Sequence, residues 1–248
     1  MNQRQELAVR QFHVVGGGCF GTQYVRWLLR ARSLGWLKFE SIQVIDHDPD
    51  CLLQREGLVS PSVRLVRSDW VDYFSNYLVK NFRNPDAHED HWVPSHMAPH
   101  ILFLSFIQGA TSLQEKWVFD QEPFQEEVSV PVQIPLKMGT FAVSYAQWQC
   151  PANCIEPPNC PAIHKKRDWD MKLALENYFA EQPDRSSHVL QCQHLLHGVG
   201  TIPCGTIFSE FSQLLDNLAG EEPSEVLVAT VSGCHGLIGR ALVLMEPA

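Results

Sequence analysis

Residues 12 to 21 read Phe12-His13-Val14-Val15-Gly16-Gly17-Gly18-Cys19-Phe20-Gly21. An apolar strand pattern runs straight into G-x-G-x-x-G, with Gly16, Gly18 and Gly21 at its three glycine positions. Each glycine has a mechanical job. The first permits a tight turn, the second lets a phosphate approach the backbone, and the third lets the following helix pack closely on the strand. The N-terminus of that helix then offers free N–H groups and the positive end of its dipole to an anion.

Outward from this stretch, Tyr24, Val25, Leu28 and Leu29 recur at helical spacing, which predicts a helix over 22–32. Ser41 to Ile45 reads as a second strand, closed by Asp46-His47-Asp48-Pro49, and Ser62 to Val66 as a third, followed by Asp69. Residues 70–80 read as helix, Asn84 to His100 as a polar surface loop, and Ile101 to Phe106 as a fully apolar fourth strand. Strands alternating with helices predict an α/β fold: a Rossmann-like, doubly wound, mainly parallel sheet with a Cys-rich C-terminal extension. The expected organisation is a nucleotide-binding half over 1–110 and a Cys-rich α/β half over 111–248, with one shared sheet or two separate ones. In the second half, Val128 to Leu136 carries two prolines and reads as an edge strand. Thr140 to Tyr145, Val189 to Leu196, Glu225 to Val231 and Leu237 to Leu244 read as further strands, and 168–181 and 206–218 as helices.

An acid closing the second strand of a dinucleotide fold accepts hydrogen bonds from ribose hydroxyls and repels a 2′-phosphate. Asp46, 25 residues after Gly21, therefore favours NAD over NADP. The expected cofactor-binding set is Gly16, Gly18, Cys19, Phe20, Gly21, Asp46 and Asp69. The glycine turn together with Val44-Ile45-Asp46-His47-Asp48-Pro49 resembles the nucleotide-binding domains of TrkA-type potassium-transport regulators over residues 12–70. The resemblance implies a nucleotide-binding fold, with Asp69 near the adenine. The same residues also fit an S-adenosylmethionine methyltransferase, although such enzymes usually carry an acid late in the first strand, where this chain has His13-Val14-Val15.

The chain has 248 residues and a net charge of −9, with no basic stretch to follow a phosphate backbone, so nucleic acid is not an expected partner. No apolar run reaches the roughly 18 residues that span a bilayer, and the first residues lack the apolar core of a secretory leader. The expectation is a cytoplasmic protein with a small-molecule nucleotide as partner. Eight cysteines are many for such a chain, and Cys150, Cys154 and Cys160 crowd into one proline-rich loop. In a reducing compartment that crowding reads as a zinc or iron–sulfur site. The fourth donor is open among His164, Cys192, His194, Cys204, Cys234 and His235. The turn Gly233-Cys234-His235-Gly236 also supplies the only catalytic candidates, His235 as acid or base and Cys234 as nucleophile, or else it is a plain hairpin tip. Taken together these residues suggest an NAD-binding protein with a cysteine-ligated metal, and oxidoreductase chemistry is the activity expected of it. The alternatives are a methyltransferase and a non-catalytic nucleotide sensor or scaffold.

Overall fold

The structure is a computed structural model, and it describes residues 7–114, 117–121, 127–137, 139–151, 154–196, 198–220 and 224–245. In chain order the elements begin with β1 (Leu7–Ala8), β2 (Gln11–Val15), α1 (Cys19–Ser33), β3 (Leu37–Lys38) and β4 (Ser41–Asp46). Next come α2 (Leu52–Arg55), β5 (Val63–Arg67), α3 (Trp70–Asn81), a 3₁₀ turn at Pro85–Glu89 and β6 (His91–Val93). The chain continues through α4 (Ile101–Leu113), β7 (Trp117–Asp120), β8 (Val132–Pro135), β9 (Thr140–Ser144), β10 (Asn159–Cys160), β11 (Lys165–Lys166) and α5 (Met171–Ala180). It closes with β12 (Arg185–Gln191), β13 (Gln193–Leu196), β14 (Val199–Pro203), α6 (Cys204–Gly220), β15 (Glu225–Val231) and β16 (His235–Met245).

The chain divides into two compact units, Met1–Ala98 with Gln193–Phe208, and Pro99–Cys192 with Ser209–Ala248. The first holds a six-stranded sheet in the order β13-β14-β6-β2-β4-β5. β6, β2, β4 and β5 run parallel, whereas β14 lies antiparallel on β6 and β13 antiparallel on β14. Phe12, Val14, Ile42 and Val44 are fully buried in its core, each worth about 2 kcal/mol of apolar burial. β2 and β4 are nearly continuous apolar runs because a strand covered on both faces has no polar side to show.

The second unit holds a six-stranded sheet, β12-β15-β16-β9-β8, with β7 also paired to β16. Only β12 and β15 are parallel; β15–β16, β16–β9, β16–β7 and β8–β9 are antiparallel. Every residue of β15, Glu-Val-Leu-Val-Ala-Thr-Val, is buried at its centre.

The expectation of a doubly wound, mainly parallel sheet is therefore wrong: both sheets are mixed, and the second is mostly antiparallel. Two causes can be named. β15 turns into β16 through residues 232–234, and so short a connection yields an antiparallel pair, since a parallel pair needs a long crossover. The run expected as the fourth strand, Ile101 to Phe106, is instead the start of helix α4. Ile101, Leu102, Phe103, Phe106, Ile107 and Ala110 are all buried, and a run buried on several faces carries no period that separates helix from strand. The strand beside β2 is His91–Val93, inside the stretch expected to be a loop.

Candidate functional site

The glycine turn of the first unit connects β2 to α1. Gly16 has φ +82°, a backbone that side chains with a Cβ rarely adopt, and Trp70 comes within 3.4 Å of where its Cβ would stand. A Cβ on Gly21 would overlap the carbonyl oxygen of Gly16, and one on Gly17 would collide with Cys51 Sγ. Gly18 differs from these: nothing stands within 4 Å of its Cβ position. It is also the N-cap of α1, and no side chain caps that helix end. The turn thus packs tightly on three glycines and opens over the fourth, at the uncapped N-terminus of a 15-residue helix.

Asp46 ends β4, the strand paired to β2, and it is buried. Its Oδ2 accepts the Gly17 N–H at 2.6 Å and its Oδ1 accepts the Asp48 N–H at 2.9 Å. Those bonds occupy about half of a carboxylate's roughly four acceptor positions. Gly16 N donates to Ile45 O at 2.8 Å, and Leu53 N donates to Gly17 O at 3.0 Å, so α2 is tied onto the turn. The Trp70 indole donates to Ile45 O at 2.8 Å. Cys19 and Phe20 are exposed, and the Phe20 ring sits edge-on to His96 at 4.0 Å between centroids. Asp69 caps α3, its Oδ1 accepting from Val71 N at 2.8 Å and Asp72 N at 3.2 Å.

Beneath the sheet the same unit buries a charged network. Asp90, fully enclosed, accepts from Arg10, from the Tyr77 hydroxyl and from His13 Nε2 at 3.3 Å. His13 Nδ1 meets the Tyr73 hydroxyl at 2.9 Å. Burial holds His13 below the usual imidazole range against the pull of Asp90, and burial pushes the Cys204 thiol well up. A groove of about 450 Å³ lined by Val9, Arg10, Arg32, Phe39 and Glu40 lies at the start of β2, the end away from the glycine turn.

The second unit gathers the cysteine loop, the β15–β16 turn and the segment before α5. Glu156, with φ +51°, places its carboxylate in the turn. It accepts from Ser232 Oγ at 2.7 Å, from Gly233 N at 2.7 Å and from Cys234 N at 3.0 Å, and Arg167 Nη1 lies 3.7 Å away. Burial pushes this carboxyl up, but those donors outweigh burial and hold it below the ordinary range. Arg167 also donates to the Glu156 carbonyl.

Around this anchor the sulfurs face N–H groups. Cys234 Sγ accepts from Trp169 Nε1 at 3.2 Å and from Arg167 Nη1 at 3.6 Å. Cys154 Sγ accepts from Glu156 N at 3.4 Å. Cys150 Sγ lies 3.6 Å from His235 Nε2, and His235 Nδ1 is 2.9 Å from Ser144 Oγ. Burial pushes the Cys150 thiol up, and the neighbouring Cys154, Cys234, Cys160 and Glu156 add to the rise. Burial likewise raises Cys234, against Trp169 and Arg167. All eight cysteines are free thiols. Among the described residues, no three His, Cys, Asp or Glu donors converge where a single metal ion would sit.

Residues 97–243 match the family described as "Uncharacterized protein, C-terminal domain". The chain belongs to that family. The matched span holds the whole cysteine loop, Glu156, Trp169 and the Cys234–His235 turn, while the glycine turn lies outside it. No curated protein matches the chain.

The structure brings Gly16, Gly18, Gly21 and Asp46 together and sets Cys19 and Phe20 on the open side, while Asp69 serves as a helix cap. It gathers Cys150, Cys154, Cys160, Cys234 and His235 in the second unit. Of the other fourth-donor candidates, His164 is exposed, its backbone N–H bonded to Cys160 O at 2.9 Å, and Cys192 is buried enough for its thiol to rise to about 12. His194 and Cys204 belong to the first unit. Four functional groups escape a reading of the sequence: Glu156, Arg167, Trp169 and Ser144. Glu156 could have been singled out as the one acid between the second and third cysteines. The other three carry no local signal. Among the described residues no helix is long and apolar enough to cross a membrane.

Proposed function

We propose that the chain binds an adenine dinucleotide, NAD, with the pyrophosphate over Gly16 to Gly21 and the adenosine ribose at Asp46. The observation that carries this reading is the contrast within one turn: Gly17 and Gly21 with no room for a side chain, Gly16 at a positive φ, and open space above Gly18 at an uncapped helix N-terminus. An anion there gains free N–H donors and the helix dipole, worth about 1 kcal/mol apart from any direct contact. Asp46 holds the turn and keeps spare acceptor positions, which suits ribose hydroxyls and disfavours a 2′-phosphate. His13, in the position where S-adenosylmethionine enzymes usually place an acid, is buried, and both its ring nitrogens are engaged by Asp90 and Tyr73. NAD binding beside a cysteine-rich family domain belongs with oxidoreductase chemistry in the reducing cytoplasm.

Titration calorimetry with NAD, NADP and S-adenosylmethionine tests the reading. NAD should bind, and Gly18→Val should abolish binding by filling the open space while leaving the fold intact. Asp46→Ala should weaken NAD more than NADP. Binding of S-adenosylmethionine alone would replace the proposal with the methyltransferase, and binding of none of the three would leave a scaffold.

A further inference from the structure

His235 opens β16 and Ser144 closes β9, and the two stand directly opposite each other in the antiparallel ladder. That register brings His235 Nδ1 to 2.9 Å from Ser144 Oγ. The other ring nitrogen, Nε2, lies 3.6 Å from Cys150 Sγ. A hydroxyl that orients an imidazole, which in turn faces a thiol, is the order of groups that activates a nucleophile.

The one hydroxyl proton of Ser144 assigns the tautomer. Ser144 Oγ accepts from Ala146 N at 2.9 Å and donates to Ala146 O at 3.3 Å. A serine hydroxyl has a single hydrogen and two lone pairs. With that hydrogen on Ala146 O, the contact to His235 forms when Nδ1 carries a hydrogen and donates it to Ser144 Oγ. Nε2 is then the bare nitrogen, its lone pair toward the Cys150 S–H. The opposite tautomer gives up the bond to Ala146 O.

The turn before β16 is held for this purpose. Ser232 Oγ, Gly233 N and Cys234 N all donate to the Glu156 carboxylate, and His235 N donates to Ser232 Oγ at 3.2 Å. A base must be fixed in orientation before it can take a proton efficiently, and the anchor supplies that. Cys234 itself is 7% exposed and receives the Trp169 and Arg167 N–H groups. Cys150 is half-buried and His235 is exposed, so their contact is open to solvent. Burial raises the Cys150 thiol and lowers the His235 imidazole. Both therefore rest uncharged: a thiol that needs a base beside a base free to accept.

We propose that Cys150 is a nucleophile and His235 its general base, with Ser144 positioning the imidazole, in acyl transfer from activated esters or thioesters. Nε2 takes the Cys150 proton as Sγ bonds the carbonyl carbon. The bond to the leaving oxygen or sulfur breaks, and Nε2 returns the proton to that leaving group. Water then attacks the acyl–Cys150 thioester and passes a proton to Nε2. The C–S bond breaks, the acid departs and Cys150 regains its proton. A single imidazole acts as base and then as acid, which suits leaving groups of low basicity. The sulfur is neither oxidised nor reduced.

The test is p-nitrophenyl acetate on the full, reduced chain. Mass spectrometry of acid-quenched peptides should place the acetyl group on Cys150, at up to about one equivalent per chain. His235→Gln should slow acetylation of Cys150 about 100-fold near neutral pH. The rate should recover as pH rises through the thiol's own range, where thiolate forms without a base. A variant that fails to fold would instead spread the label over all eight cysteines. Ser144→Ala is the second variant: loss of one orienting hydrogen bond should slow the reaction about tenfold at neutral pH, with the label still on Cys150. Absence of acetyl-Cys150, acetylation of Cys234 in its place, or a wild-type rate at Cys150 in either variant would overturn the proposal. None of these results depends on whether NAD binds.

Discussion

The glycine turn and the cysteine loop both present backbone and side-chain N–H groups, but to different ends. In the turn, the constraint is steric and short-range: Gly17 and Gly21 have no room for a Cβ, Gly16 holds a positive φ, and the space above Gly18 is open. In the loop, the constraint is polar and long-range: a carboxylate 77 residues from Gly233 pins the hairpin, and the Trp169 and Arg167 N–H groups, 65 and 67 residues away in sequence, converge on the Cys234 sulfur. A site made by excluding side chains can be written in ten consecutive residues. One made by gathering acceptors and donors needs a finished fold. The family match at residues 97–243 contains every piece of the loop assembly and leaves the glycine turn outside it.

The sharpest way to break this comparison is at Gly21. Gly21→Ala drives a Cβ into the Gly16 carbonyl, and because the clash is with backbone, the first unit should lose about 4 kcal/mol. Gly18→Ala, three residues away in open space, should cost less than about 1 kcal/mol. Denaturant midpoints, resolved by hydrogen exchange of β2 and β4, measure both; equal costs would dissolve the distinction between packed and open glycines.

Glu156 is the corresponding point in the loop. Glu156→Ala leaves Ser232 Oγ, two backbone N–H groups and Arg167 without their acceptor and should cost about 3 kcal/mol. Loss of exchange protection should be confined to 154–169 and the β15–β16 turn. If protection falls equally in β2 and β4, the anchor is not local to this unit.

The two regions should also answer acid differently. Burial lowers His91 to about 4, against the pull of Asp90, and its Nδ1 lies 3.0 Å from Thr201 Oγ1. The native state therefore refuses a proton that the unfolded chain takes up near pH 6.5. That stability is complete above about pH 6.5 and declines as pH falls toward 4, by about 3 kcal/mol in all. Glu156, held below the carboxylate range, works in the next window: its contribution is complete above about pH 4.3 and is lost only as pH falls further. His91→Gln should flatten the first decline and leave the second, as followed by exchange protection of β6 against the β15–β16 turn. The smallest effect expected is from Trp70→Phe, which removes one indole bond to Ile45 O and should cost about 1 kcal/mol by thermal denaturation.

The sequence by itself determined β2, the turn, α1 and β4, together with the pairing of Asp46 to the turn's neighbourhood. Each rests on contacts within about one turn or on a 2.0 or 3.6 period, which a linear reading can see. It likewise determined that β8 lies at a sheet edge, because prolines cannot complete a ladder on both sides. Only the tertiary structure decided that Ile101 to Leu113 is a helix and that the short His91–Val93 run takes the strand position beside β2, since burial on all sides erases the period that would tell them apart. Only the tertiary structure, too, turned a parallel expectation into two mixed sheets, because strand direction is set by how the connections return and not by the strands themselves. The sulfur site is the extreme case: Arg167 and Trp169 acquire their meaning from proximity to Cys234, and proximity across 67 and 65 residues leaves no trace in local pattern.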